Sequence, residues 1–103
     1  MKPYVTNAAN ETQVKEAGQK ETRVRNTHYE DVKWVLSSQA GRRVLHKYLM
    51  DAGILVTSFN NSGSITAFNE GQRNMGLKLL ADIEEADPEM YTLMRQEYKR
   101  SQV

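Results

Sequence analysis

Two histidines, His28 and His46, are the side chains of this sequence whose ordinary pKa lies near neutrality, and cysteine is absent altogether. Metal binding would need several nitrogen, sulfur or carboxylate donors gathered at one point. Neither a His-x-x-x-His nor a Glu-x-x-His spacing places two donors on one helix face, so surface or cap positions account for both histidines. A second cluster, Asp82, Glu84, Glu85, Asp87 and Glu89, holds enough carboxylates for acid–base work. No aromatic-lined cleft or repeated spacing accompanies it, and acids around the end of one helix and the start of the next read more simply as a solvated turn. The expectation is no catalytic residue, no metal and no cofactor: a non-enzyme.

The arginines are more distinctive. Ser37-Ser38-Gln39-Ala40-Gly41-Arg42-Arg43 and Thr66-Ala67-Phe68-Asn69-Glu70-Gly71-Gln72-Arg73 each open with a hydroxyl residue suited to a helix cap, then place glycine inside the first turns and arginine after it. Glycine there costs about 1 kcal/mol relative to alanine. Its double use predicts that two backbones, or a backbone and a partner, approach closely and hold the arginines at fixed positions. Helix starts with guanidinium groups also suit phosphate, but no strand precedes them and no Lys-Ser/Thr pair follows. Packing through the glycines is favoured, with Arg42, Arg43 and Arg73 paired to Glu70, Asp82 or a partner's carboxylates.

The elements that must carry these residues follow from periodicity. Residues 1–26 are rich in Asn, Thr, Gln, Lys and Glu, with Val5, Val14 and Val24 as their larger aliphatics, and read as a flexible arm that becomes helical on binding. From Thr27, taken as a cap with Glu30 three residues on, a short helix is expected over 28–36. Ser37-Ser38 starts a second helix, ended by Gly53 in left-handed conformation. Residues 54–65 form a long ordered loop, pinned to the helices by Ile54, Leu55 and Phe59. A third helix begins near Thr66 and turns Phe68, Gln72, Met75, Leu79 and Ile83 to the core. Asp87-Pro88-Glu89 restarts the chain into a last helix with Met90, Tyr91, Met94 and Tyr98 along one side and Arg95, Lys99 and Arg100 near its end. The fold class is all-α: a small bundle of about four helices over 27–103, preceded by the arm. Trp34, Phe68, Tyr91, Met75, Met90 and Met94 are expected in the core, with some of them free for an interface.

Bulk properties bound the rest. In 103 residues, 14 basic and 13 acidic side chains leave a formal charge of +1. That is a thin footprint for a nucleic-acid binder. No apolar run approaches the ~18 residues of a membrane span, and the first residues lack a signal-peptide core, so the expected product is soluble and made in a cytoplasm. A helix-turn-helix fails on spacing, because about a dozen residues separate the second and third helices.

From about Asp31 to Arg100 the sequence resembles the Bbp-nineteen-like phage domain family. The resemblance rests on Leu36-Ser37, Ala40-Gly41-Arg42-Arg43-Val44-Leu45, Phe59, the run Thr66 to Leu77 with Leu79-Leu80, and Asp87-Pro88-Glu89-Met90-Tyr91 with Met94. It implies a tailed-bacteriophage protein encoded among head and packaging genes, made in the host cytoplasm and carried in the virion, with no activity attached to particular residues. The leading expectation is a virion-structural or assembly protein. It would dock in multiple copies, as a homo-oligomer or in a symmetric assembly, on the portal and tail connector or an internal core, either retained in the particle or ejected with the genome. Arg42, Arg43, Arg73 and Glu70 would set the inner geometry, and Arg23, Arg25, Tyr98 and Arg100 would belong to the outer contacts. Two other readings stay open: a DNA-binding accessory to packaging using Lys15, Lys20, Arg23, Arg25, Lys33, Arg42 and Arg43, and an early protein that binds a host enzyme.

Overall fold

A computed structural model describes residues 3–103, with side chains described from Asn10 onward. Four helices follow in order: α1 (Pro3–Leu36), α2 (Gln39–Asp51), α3 (Gly63–Ala86) and α4 (Met90–Ser101), and the described residues contain no strand. The all-α bundle expected from periodicity is the fold observed.

Element boundaries differ from the sequence reading at three starts. One is α4, which begins at Met90 after a turn over 87–89 in which the Glu89 amide donates to the Asp87 carboxylate at 3.3 Å, so the Asp87-Pro88 pair precedes the helix instead of opening it. Thr27 caps nothing, because its hydroxyl donates to the Arg23 carbonyl at 2.9 Å inside a helix that runs straight through it. The helix expected over 28–36 is therefore the last quarter of a 34-residue one. Along α1 every described side chain from Asn10 to His28 is exposed, and burial begins at Tyr29, Val32, Val35 and Leu36. That spacing turns one stripe of the last two turns inward. The remaining difference is in α3, which starts at Gly63 rather than Thr66, with the Ser62 hydroxyl accepting from the Ile65 amide at 3.4 Å. Thr66 lies one turn inside, and its hydroxyl both accepts from the Asn60 amide and donates to the Asn60 carbonyl.

The start of α2 is as expected. Ser38 is extended and its hydroxyl accepts from the Gly41 amide at 3.0 Å, satisfying one of the free donors of the first turn. At the other end Gly53 adopts φ +79°, which an L side chain rarely takes, and its amide bonds the Met50 carbonyl.

Leu36, Leu49, Ile54, Ile83 and Met94 form the buried core, one residue from each helix and one from the loop. The molecule extends 71 × 39 × 15 Å, and its radius of gyration of 20.1 Å exceeds the roughly 13 Å of a compact chain this long. Its thinnest dimension is about the depth of one helix laid on another. Such a plate has little interior. Trp34, Phe68 and Met75, expected in the core, are instead 78, 66 and 66% exposed. On α3, Leu79 and Ile83 face the core as expected, joined by Gly76, Leu77 and Leu80, because the helix packs where its glycine lets it come close.

Candidate interaction surfaces

Three glycines divide the helix faces into packed and open. A Cβ on Gly41 would lie 1.9 Å from the Val35 carbonyl oxygen, and one on Gly76 would lie 2.5 Å from the Ala52 Cβ. Both permit close approach inside the fold, the first of α2 to the end of α1 and the second of α3 to the end of α2. At Gly71 a Cβ would meet nothing within 4 Å. Phe68, Gly71, Gln72 and Met75 stand at i, i+3, i+4 and i+7, all exposed, so one face of α3 combines two large apolar side chains with an uncrowded glycine.

Arg42 is the central tie of the bundle. Its Nε and Nη2 donate to the two carboxylate oxygens of Glu97 at 2.7 and 3.0 Å, and its Nη1 donates to the Leu36 carbonyl at 2.8 Å. The last bond satisfies one of the carbonyls left free at the end of α1, so one guanidinium joins α1, α2 and α4. The hydrogen bonding between Arg42 and Glu97 holds the Glu97 carboxyl below the usual carboxylate range and raises Arg42 above its ordinary value. The carboxylates expected as arginine partners are used elsewhere. Glu70 accepts from the Ser58 hydroxyl, and Asp82 meets His28 Nε2 at 2.9 Å, fastening α1 to α3. Glu97, the actual partner, was legible only as an acid on the last helix.

The glutamate motif of α3 has a local task. Thr66, Asn69 and Glu70 share one face and hold the 54–62 loop through Asn60, the Ser58 carbonyl and the Ser58 hydroxyl. The loop is thereby pinned by hydrogen bonds, while of the apolar residues expected to pin it Ile54 is buried but Leu55 and Phe59 are 61 and 71% exposed. Arg73 lies on the next turn of the same face. Its Nε is buried without a partner among the described residues.

The remaining expected contacts are placed as follows. Arg43 and Arg100 are exposed and form no ion pair among the described residues, though their charges help to depress the Glu97 pKa. Tyr98 stacks on His46, with ring centroids 4.6 Å apart. His46, expected at the surface, is only 5% exposed; burial chiefly, and then the charge of Arg95, lowers its pKa. Arg23 and Arg25 are exposed on α1, where over residues 10–33 five basic side chains (Lys15, Lys20, Arg23, Arg25, Lys33) meet five acidic ones (Glu11, Glu16, Glu21, Glu30, Asp31). No basic stripe results. Among the described residues no group of three His, Asp or Glu side chains is placed to hold a metal ion, and no helix is long and apolar enough to cross a membrane.

A family model described as Bbp19-like phage protein matches residues 32–96, which spans the end of α1, all of α2 and α3, and the first half of α4. The chain belongs to that family. The match takes in Gly41, Arg42, Glu70, Gly71, Arg73 and Gly76, so both close-packed glycines and the loop-holding Glu70 of this Bbp19-like protein lie within the shared region, while Glu97, the partner of Arg42, falls one residue beyond it and the exposed part of α1 before Val32 lies outside it. No curated protein and no solved structure matches the chain.

Proposed function

We propose that this phage protein is a non-enzymatic component of the particle or of its assembly, docking in several copies on a larger phage body such as the portal and tail connector or the internal core. One observation carries the reading: a plate-like domain with five buried apolar residues leaves Trp34, Phe68 and Met75 in water, the last two flanking Gly71. Exposed apolar groups of this size, with a glycine that serves no contact in the isolated chain, suit a surface covered by a partner. The charge balance along α1 favours a protein partner over DNA.

Mass spectrometry of purified particles, before and after genome release, tests the proposal. The expected result is this chain in the particle at several copies, with Phe68→Asp lowering its incorporation and leaving its synthesis unchanged. Recovery solely from infected-cell lysate, bound one-to-one to a host protein, would overturn it.

A further inference from the structure

Away from the α3 face, α2 and α4 enclose a groove of about 350 Å3. Arg43, His46 and Met50 line it from α2 at i, i+3 and i+7, and Met94, Glu97 and Tyr98 from α4 at i, i+3 and i+4. The volume lies at the lower end of the range of ligand-binding clefts and accepts one or two side chains. Its floor is apolar and adaptable, because Met94 is buried, Met50 half-buried, and both present unbranched thioethers.

The wall is polar and incomplete. His46 is nine-tenths buried, yet its ring makes no hydrogen bond among the described residues. His46 is itself part of the groove lining, so a ring N–H without a protein partner stands at this wall. The Arg42–Glu97 and Lys47–Asp51 pairs neutralise themselves. Arg43, Arg95 and Arg100 remain near the groove without an ion-pair partner among the described residues, an excess of three positive charges in a chain whose net charge is +1.

We propose that this groove binds a carboxylate carried on an apolar stem, presented by an acidic segment of a partner protein. The stem lies on Met50 and Met94, and the carboxylate takes a hydrogen bond from His46 and the charge of Arg43. A nucleic acid fits less well, because the two rings of the lining, His46 and Tyr98, already turn one face each to the other and the floor is thioether, which offers no run of rings for successive bases. The class of partner rests on the docking reading above; the chemistry of the groove does not.

The test uses the full chain with its methionine methyl groups labelled with carbon-13, titrated at low salt with an acetylated hexapeptide of alternating glutamate and leucine, and with its lysine–leucine counterpart. The acidic peptide is expected to move the Met50 and Met94 methyl signals saturably, leave Met75 unmoved, and bind Arg43→Gln roughly ten-fold more weakly. Arg43 is exposed, so that variant folds. Equal binding of the lysine peptide, movement of Met75 in place of Met50 and Met94, or no saturation would overturn the proposal. A chain present in purified particles whose groove ignores the acidic peptide sinks the groove alone, and a chain that binds the peptide but is absent from particles sinks the docking reading alone.

Discussion

Arg42 and Glu97, 55 positions apart in the chain, meet as a two-pronged ion pair with N···O distances of 2.7 and 3.0 Å, and the third arm of the same guanidinium closes the end of α1. Both side chains are about 85% withdrawn from water, so the fork geometry matters more than the charge. Lysine at position 42 keeps the charge but cannot serve two carboxylate oxygens and the Leu36 carbonyl together. Arg42→Lys is expected to lower Tm by several degrees, and Glu97→Gln likewise. Thermal unfolding followed by circular dichroism checks both, and an unchanged Tm for Arg42→Lys would remove the tie from its central place.

The glycines separate into opposite predictions. Gly41→Ala drives a methyl into the Val35 carbonyl and is expected to cost roughly 1–3 kcal/mol. Gly71→Ala meets open space in the middle of a helix and is expected to stabilise the isolated chain by about 0.5–1 kcal/mol while reducing incorporation into particles. Urea unfolding of the two variants reads the first part and particle composition the second. A stabilised Gly71→Ala that incorporates normally would mean that no partner comes close at Gly71.

These contrasts also mark what the sequence could and could not convey. Four helices, the Ser38 cap and the Gly53 stop were legible because each depends on residues within a few positions of one another. The fates of Phe68 and Met75 were not. A stripe at helical spacing says that a helix has an apolar face, and whether that face meets this chain or another depends on how far Gly76 lets α3 approach Ala52 and Ile54. In the same way, Arg42 announced a carboxylate partner by type, but Glu97 over Glu70 or Asp82 is decided by the way α4 folds back on α2. His46 was misplaced at the surface because nothing local distinguishes it from an exposed histidine; Tyr98 buries it from 52 positions away.

Glu70 is expected to govern the loop without governing the fold. Its carboxylate accepts from Ser58, and Asn69 donates to the Ser58 carbonyl, yet the core residues lie elsewhere. Glu70→Ala should speed amide exchange and proteolytic cleavage over 54–62 several-fold with a much smaller change in Tm. Hydrogen exchange resolved by peptide distinguishes this from global loosening, in which α2 and α4 would lose protection too.

Trp34 is the sole tryptophan and is 78% exposed. Its fluorescence in the isolated chain is expected at the long-wavelength, water-exposed limit, with efficient quenching by acrylamide. If the end of α1 belongs to a covered surface, emission shifts to the blue and quenching falls when the chain joins its assembly. A buried-type spectrum in the isolated chain would mean that copies already associate through Trp34.

Acid should weaken the fold in two stages of the same sign. His46 binds a proton less readily when folded than when unfolded, because burial and then the charge of Arg95 oppose protonation. As pH falls below about 6.5 the unfolded chain takes up the proton first, and stability declines until the lowered folded pKa is reached. Glu97 carries the second stage. Its folded pKa is depressed by Arg42, so the stability it supplies is complete above the ordinary carboxylate range and is lost as pH falls through that range to the folded value. Urea midpoints measured between pH 7 and pH 3 should therefore fall twice. His46→Gln is expected to flatten the upper stage alone and Glu97→Gln the lower alone, and a profile in which His46→Gln leaves the upper stage intact would mean that its imidazole is solvated in the folded chain.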